Sequence, residues 1–163
     1  MIKAKELMTT DVVSVTKETP ITEAVRLMVE NDVTGLPVVG EDMTLLGILT
    51  EKDVLRLLQA DEFEKEATVE EFMTTPAIYF SEDESLSNIS DCLMTYDFRR
   101  VPITSGTRLV GIISRCDILK YMLEARIVEL PASKVYQSAF GSECVRSFCF
   151  QPDSGENKQQ TSF

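Results

Sequence analysis

An internal repeat constrains this chain of 163 residues more than any other feature of its sequence. Setting Met8 on Met73 aligns the two halves, and a one-residue deletion further along restores the match. The first stretch pairs Met8-Thr9-Thr10 with Met73-Thr74-Thr75, Asp32 with Asp97 and Pro37 with Pro102. The second stretch pairs Leu45, Gly47, Ile48, Asp53 and Leu55 with Leu109, Gly111, Ile112, Asp117 and Leu119. The two halves are therefore expected to be two copies of one structural unit.

Each copy predicts the order strand-helix-strand-strand-helix, which is an α+β fold. Short apolar or β-branched runs predict the strands, and apolar residues at three- and four-residue spacing predict the helices. The predicted strands are 12–15, 36–39 and 45–49, with counterparts at 77–80, 101–103 and 109–113. The predicted helices are one that begins after Thr19-Pro20, one at 86–94, and the pair at 52–58 and 117–123. A unit of about 55 residues buries too little surface to be stable alone, so the copies are expected to pack together.

The repeat divides the chain into four segments. Residues 61–71 carry six acidic residues against one lysine, which is typical of a solvated linker. Beyond residue 131 no periodic apolar face continues, and Ser, Gln, Gly and Asn dominate. The predicted segments are a first repeat at 1–60, an acidic linker at 61–67, a second repeat at 68–126 and a mostly unstructured C-terminal extension at 127–163.

Charge and composition exclude several classes of function. The 27 acidic residues outnumber the 16 basic ones, and a net charge of −11 disfavours binding to nucleic acid or to an anionic membrane surface. The chain has no histidine, which excludes Ser-His-Asp and Cys-His catalysis. No apolar stretch approaches the roughly 18 residues that span a bilayer. These features predict a cytoplasmic protein without nucleic-acid or membrane partners.

The cysteines predict neither a disulfide framework nor a metal site. The four residues contain no C-x-x-C pair. Cys92 and Cys116 fall within helical patterns as small apolar residues, while Cys144 and Cys149 are interpreted as free thiols in the tail. A redox pair of Cys144 and Cys149 is the less favoured alternative, because no base flanks them.

The repeated motifs resemble the CBS domain. The first copy reads M-T-x-x-V-x-x-V from Met8, then G-L-P-V-V, then L-x-G-I-L-T-x-x-D-V-L, and the second ends in G-I-I-S-R-C-D-I-L. Residues 1–126 together resemble a tandem CBS pair, or Bateman module. The resemblance implies two repeats related by a pseudo-twofold axis and two clefts that commonly bind AMP, ADP, ATP, NAD or S-adenosylmethionine. It also implies a homodimer, for which the exposed apolar residues would be Leu55, Leu58, Leu119 and Met122.

Two hydroxyl-to-acid motifs, Thr50 to Asp53 and Ser114 to Asp117, each lie where a strand ends and a helix begins. Such a motif is typical of a capping box, which needs no ligand and contributes about 1 kcal/mol. The same acid can accept hydrogen bonds from both ribose hydroxyls of a nucleotide. Within a CBS-like chain we favour ribose binding, and both roles can coexist. A catalytic pair of Asp53 and Asp117 is a weaker alternative, so we expect no enzyme activity and no required cofactor.

The resemblance also implies which residues line the adenine slots. One slot would consist of Thr10, Val12, Gly35 and Leu36, and the other of Thr75, Ala77, Arg100 and Val101. Each slot is expected to face the hydroxyl and acid of the opposite repeat. Core packing is an alternative role for Val12, Leu36 and Val101. A residue that packs in the core can also line an adenine slot.

Arg99, Arg100 and Arg115 are the candidate phosphate ligands, because guanidinium groups bind two phosphate oxygens at once. The first repeat has Thr34 and Gly35 in place of the first two, with Lys52 nearby. We therefore expect the cleft that uses Ser114 and Asp117 to bind more tightly. The predicted function is a non-catalytic module that binds an adenosine-containing ligand and signals to an unidentified partner protein. The alternative is a ligand-free dimeric interaction or scaffold protein.

Overall fold

The computed structural model describes residues 2–56, 67–96 and 98–125, which belong to one compact unit, Met1–Ile127. The first repeat contains α1 (Ala4–Leu7), α2 (Ile21–Glu30), β1 (Gly35–Val39), β2 (Leu45–Thr50) and α3 (Glu51–Leu55). The second contains a 3-10 turn (Val69–Glu71), β3 (Phe80–Ser81), α4 (Leu86–Thr95), β4 (Arg100–Ser105), β5 (Arg108–Ser114) and α5 (Arg115–Glu124). The α+β prediction is confirmed, and both repeats contain the predicted order helix-strand-strand-helix, whereas the predicted first strand is present only in the second repeat. The predicted extension at 127–163 lies outside the described residues.

Two small sheets form the centres of the repeats. Strands β1 and β2 form an antiparallel pair, and β3-β4-β5 form a sheet in which β3 is parallel to β4 and β4 antiparallel to β5. The predicted strand at 12–15 forms a single parallel bridge, between Val15 and Val38. Both predicted first strands are too long because the chain just before them crosses to the other repeat, where Thr9 pairs with Ile112 and Thr74 with Ile48.

Each repeat contributes its first residues to the hydrophobic core of the other. Ala4 is fully buried beside Ile89, Ile103 and Ile113 of the second repeat. Val69 is fully buried among residues of the first repeat, including Leu36. Ala67, the last residue of the predicted acidic linker, is also buried in the first repeat's core, with 5% exposure. This part of the linker is therefore packed rather than solvated.

Backbone hydrogen bonds repeat this exchange on both sides of a pseudo-twofold axis. The Ala4 N–H donates to the Glu84 carbonyl, and the equivalent Val69 N–H donates to the Thr19 carbonyl, both at 2.9 Å. Across the axis, the N–H groups of Leu45 and Leu109 donate to the carbonyls of Thr107 and Met43, also at 2.9 Å. The predicted pseudo-twofold packing of two repeats follows from these matched bonds.

The glycine of each G-I motif lies where the crossing chain passes. A Cβ added to Gly47 would lie 2.8 Å from the Thr74 carbonyl oxygen, and one added to Gly111 would lie 2.5 Å from the Met8 sulfur. Real Cβ atoms do not approach other atoms this closely, so the sheet admits the crossing segment because these positions carry no side chain.

The helices agree with the sequence pattern except at short segments. Helix α2 buries Ile21, Ala24 and Met28, and helix α4 buries Leu86, Ile89 and Leu93, as the spacing predicts. Met94, which the spacing also assigns to the apolar face of α4, is 74% exposed. Helix α5 covers the predicted range 117–123, whereas part of the predicted helix at 52–58 lies outside the described residues. Helix α1 has no counterpart in the predictions. No helix among the described residues has the length and apolar character to span a bilayer.

Candidate functional site

The Thr50–Asp53 motif forms a capping box at the start of α3. Oδ2 of Asp53 accepts hydrogen bonds from the Thr50 backbone N–H at 2.9 Å and from the Thr50 hydroxyl at 2.6 Å. An acid three residues after a strand end closes onto the strand's last backbone N–H because the first turn of a helix brings the two together. The carboxylate is thereby fixed at the edge of the sheet.

The Ser114–Asp117 motif has the same geometry at the start of α5. Oδ2 of Asp117 accepts from the Ser114 N–H at 2.8 Å and from the Ser114 hydroxyl at 2.7 Å, while the Asp117 N–H donates back to the hydroxyl oxygen at 3.2 Å. The capping interpretation of both motifs is confirmed by these bonds.

The second carboxylate oxygen distinguishes the two acids. Oδ1 of Asp53 lies 3.5 Å from the Thr74 hydroxyl and 3.7 Å from an Arg56 nitrogen, and the residue is 4% exposed. Asp117 is half-buried, and its Oδ1 has no hydrogen bond or ion pair to any residue that the structure describes. Asp117 therefore keeps one carboxylate oxygen without a partner among the described residues, whereas both oxygens of Asp53 are engaged by protein groups.

The crossing segments bring the start of each predicted slot to a strand of the opposite repeat. Thr10 and Val12 follow the Thr9–Ile112 bridge, and Ile112 lies on the strand that ends at Ser114. Thr75 and Ala77 follow the equivalent bridge between Thr74 and Ile48, and the Thr75 hydroxyl donates to the Leu46 carbonyl at 3.1 Å. Thr10 and Thr75 are exposed, and Val12 and Ala77 are half-buried.

The other slot residues lie on the strand paired with the one that precedes the acid of their own repeat, and that they face the acid of the opposite repeat stays a prediction. The antiparallel register of each hairpin sets the start of one strand against the end of the next. The register pairs Gly35 with Thr50, Leu36 with Leu49, Arg100 with Ser114 and Val101 with Ile113. Leu36 and Val101 are 0% and 1% exposed, which agrees with the core role.

The backbone pairs group the predicted site residues into two sets, each drawn from both repeats, which are called the first cleft and the second cleft. The first cleft consists of Gly35, Leu36, Thr50 and Asp53 from the first repeat with Thr75 and Ala77 from the second. The second cleft consists of Arg99, Arg100, Val101, Ser114, Arg115 and Asp117 from the second repeat with Thr10 and Val12 from the first. All three candidate phosphate ligands therefore belong to the cleft that contains Asp117.

The arginines of the second cleft are tied to neighbouring groups. The Arg115 N–H donates to the Arg99 carbonyl at 3.0 Å, so these residues are adjacent, and Nη2 of Arg115 donates to the Leu93 carbonyl at 2.9 Å. Nη1 of Arg99 lies 3.5 Å from Oε1 of Glu51, the first residue of α3 in the other repeat. Glu51 is not among the residues predicted from the sequence, because no spacing along the chain relates it to Arg99.

Cysteine chemistry adds no site to the described residues. Cys92 and Cys116 are half-buried, and burial raises the pKa of the Cys92 thiol. Cys144 and Cys149 lie outside the described residues. Within residues 2–56, 67–96 and 98–125, no group of three Cys, Asp or Glu side chains is arranged to hold a metal ion.

Comparison with known proteins identifies the family. The family model of the CBS domain matches the chain twice, over residues 4–60 and 69–124. The chain belongs to the CBS-domain family. It is a tandem CBS pair, as the repeated motifs predicted.

Relatives of this CBS pair include proteins of similar and of greater length. The chain is 32% identical over 130 residues to hypoxic response protein 1 of Mycobacterium tuberculosis and spans 91% of it. It is 30% identical over 118 residues to the protein MJ1225 of Methanocaldococcus jannaschii, of which it spans 42%. These matches cover 79% and 72% of this chain.

Solved CBS pairs share its fold. CBSX2 of Arabidopsis thaliana, solved in complex with AMP, is 26% identical and superposes with a TM-score of 0.70 over 77% of this chain and 99% of that one. The CBS pair of protein MJ0100, solved with 5-methylthioadenosine and S-adenosyl-L-methionine, is 25% identical with a TM-score of 0.67 over 77% and 98%. Hypoxic response protein I, solved with two zinc ions, is 30% identical with a TM-score of 0.66 over 74% and 98%.

Proposed function

We propose that this CBS pair is a non-catalytic, cytoplasmic regulatory module that binds an adenosine-containing ligand and signals to a partner protein by a conformational change. The candidate ligands are AMP, ADP, ATP, NAD and S-adenosylmethionine. The observation that carries the proposal is the second cleft, where Asp117 keeps one carboxylate oxygen available and the backbones of Arg99 and Arg115 are hydrogen-bonded to each other.

Ribose recognition is the first step of the argument. The capping box holds Asp117 through its Oδ2, which leaves Oδ1 to accept from a ribose hydroxyl without breaking the helix cap. Charge-assisted hydrogen bonds of this kind are stronger than neutral ones. Capping and ribose binding are thus compatible roles of one side chain.

Adenine and phosphate recognition involve the groups on either side of the ribose. The half-buried Val12 supplies an apolar surface for a base, and the extended chain around it offers backbone groups to the base edge. Arg99 and Arg115 are adjacent through a backbone hydrogen bond, so the second cleft includes two basic residues that are neighbours in the fold. On a protein with a net charge of −11, such a local excess supports binding of an anionic group.

The relatives support the same ligand class. CBSX2 was solved with AMP, and the pair of MJ0100 with S-adenosyl-L-methionine and 5-methylthioadenosine. Adenosine is the part these ligands share, and it is the part that the acid and the apolar surface of the second cleft fit.

The proposal is tested by isothermal titration calorimetry of the purified chain with the five candidate ligands and adenosine. We expect saturable binding of at least one ligand, and an Asp117→Ala variant that stays folded but binds it more weakly. Absence of binding across the panel would instead support the ligand-free scaffold.

The scaffold alternative is favoured by one specific observation. Large apolar side chains are exposed at equivalent positions of both repeats, with Val29 at 76% and Met94 at 74%, and Leu55 at 57% and Leu119 at 53%. Of the other predicted interface residues, Met122 is half-buried and Leu58 lies outside the described residues. A symmetric apolar surface of this kind fits a second copy of the chain, so homodimerisation belongs to both proposals.

A further inference from the structure

The ion pair between Arg99 and Glu51 connects the two repeats at the clefts. Nη1 of Arg99 lies 3.5 Å from Oε1 of Glu51, and the side chains are 50% and 41% exposed. Arg99 precedes β4 and accepts the N–H of Arg115 at the start of α5. Glu51 is the first residue of α3 and lies in the chain between Thr50 and Asp53, the capping-box residues of the first cleft. One end of the pair thus belongs to each cleft.

The pseudo-twofold axis relates Glu51 to a basic residue of the second repeat. The Glu51 N–H donates to the Thr34 carbonyl in the same way as the Arg115 N–H donates to that of Arg99, both at 3.0 Å. Glu51 is therefore the structural equivalent of Arg115, and Thr34 that of Arg99. The first repeat has a carboxylate at a position where the second repeat has a guanidinium, and this carboxylate binds the second repeat's arginine.

We propose that Glu51 is a built-in competitor of the ligand phosphate for Arg99, so that a phosphate-bearing nucleotide in the second cleft displaces Glu51 and breaks this link between the repeats. The inference rests on the proposed function and specifies its regulation. A carboxylate and a phosphate oxygen are both anionic acceptors for guanidinium, and one arginine fork cannot bind both in its preferred geometry.

The competition distinguishes ligands by their phosphate groups. A nucleotide with a phosphate takes Arg99 from Glu51, whereas adenosine occupies the ribose and base positions and leaves the ion pair intact. Because Glu51 is the first residue of α3 and adjoins the Thr50–Asp53 cap, release of its carboxylate changes the charge at the first cleft. Occupancy of one cleft is in this way communicated to the other.

The solvent exposure of the Arg99–Glu51 ion pair limits how much the competition changes AMP affinity. Half-exposed ion pairs contribute little, so removal of the competitor is expected to raise affinity about two- to fivefold rather than by orders of magnitude. The experiment measures AMP and adenosine binding by calorimetry at one fixed ionic strength, on wild-type protein and on Glu51→Gln, Arg99→Ala and the double variant. We expect E51Q to bind AMP about two- to fivefold more tightly and adenosine unchanged. In the R99A background E51Q is expected to have no effect on AMP.

Glu70→Gln is the matched control. Oε1 of Glu70 lies 3.3 Å from the Lys17 amine and the side chain is 57% exposed, so E70Q removes the same charge from a similar ion pair without involving Arg99. We expect E70Q to leave AMP affinity unchanged, and thermal unfolding verifies that each variant is folded.

Three outcomes would overturn the competition while leaving nucleotide binding intact. They are equal gains in E51Q and E70Q, a gain that persists in the R99A background, and equal gains for AMP and adenosine. Wild-type protein that binds neither AMP nor adenosine, at concentrations where it is folded, would refute the proposed nucleotide sensor and the competition together.

Discussion

Ala4 and Val69 are equivalent residues of the two repeats, and each is fully buried in the hydrophobic core of the other repeat. The exchange makes the folding of each repeat dependent on the first residues of its counterpart. It also carries the segments that follow, with Thr10 and Val12 on one side and Thr75 on the other, to the clefts.

The exchange predicts that truncation of Val69 lowers stability, because Val69 is buried in the core of the first repeat although it precedes every strand of the second. Val69→Ala removes two buried methyl groups and is expected to lower the free energy of unfolding by about 2 kcal/mol. Ile78→Val removes one methyl group from a side chain that is 45% exposed and lies outside the proposed dimer surface, and is expected to change stability by less than about 0.5 kcal/mol. Urea unfolding of both variants measures the difference, and equal effects would contradict the exchange.

Substitutions of the two capping acids, Asp117 and Asp53, are expected to differ in their effects on ligand affinity and on stability. Asp117→Ala should weaken adenosine-ligand affinity more than Asp53→Ala, because Asp117 has an available oxygen and lies beside the arginines. Asp53→Ala should cost more stability, by about 1–3 kcal/mol, because it leaves buried donors unpaired. Calorimetry and urea unfolding on the same two proteins check both orders, and a larger affinity loss in the Asp53 variant would reverse our assignment of the tighter cleft.

The exposed apolar positions predict a homodimer in solution. Sedimentation velocity of the wild-type chain at micromolar concentration is expected to give a dimer, and Met94→Asp a monomer, because a charge opposes burial of an apolar interface. Thr107→Asp adds the same charge at an exposed turn between β4 and β5 and is expected to remain dimeric. A monomeric wild-type protein would remove the dimer from both proposed functions.

The attachment of α1 to the second repeat predicts a pH dependence of stability. Hydrogen bonds from the Lys5 and Lys3 amines to Asp83 hold the pKa of this exposed carboxyl below its usual value of 3.8. A lowered pKa stabilises the folded state above that value, and the contribution is lost as the pH falls through the folded-state pKa. In urea unfolding between pH 2 and about 6, the wild-type protein should exceed Asp83→Asn in stability at the upper end and lose that advantage at the lower. A constant difference across the range would contradict the assignment.

The sequence alone predicted those features that depend on neighbouring residues. The alignment of Met8 with Met73 predicted two copies of one unit, and the spacing of Ile21, Ala24 and Met28 predicted the buried face of α2. The capping boxes followed from the separation of Thr50 and Asp53, because a helix turn brings residues three apart into contact whatever surrounds them.

The tertiary structure decided which segments meet. No local rule indicates that Ala67 is packed rather than solvated, or that Arg99 reaches Glu51. These contacts join residues far apart along the chain, and they depend on the crossing of two segments past Gly47 and Gly111. Spacing along a chain determines hydrogen bonds within a turn or a hairpin, whereas the partner of a side chain in a cleft is set by how complete elements pack against one another.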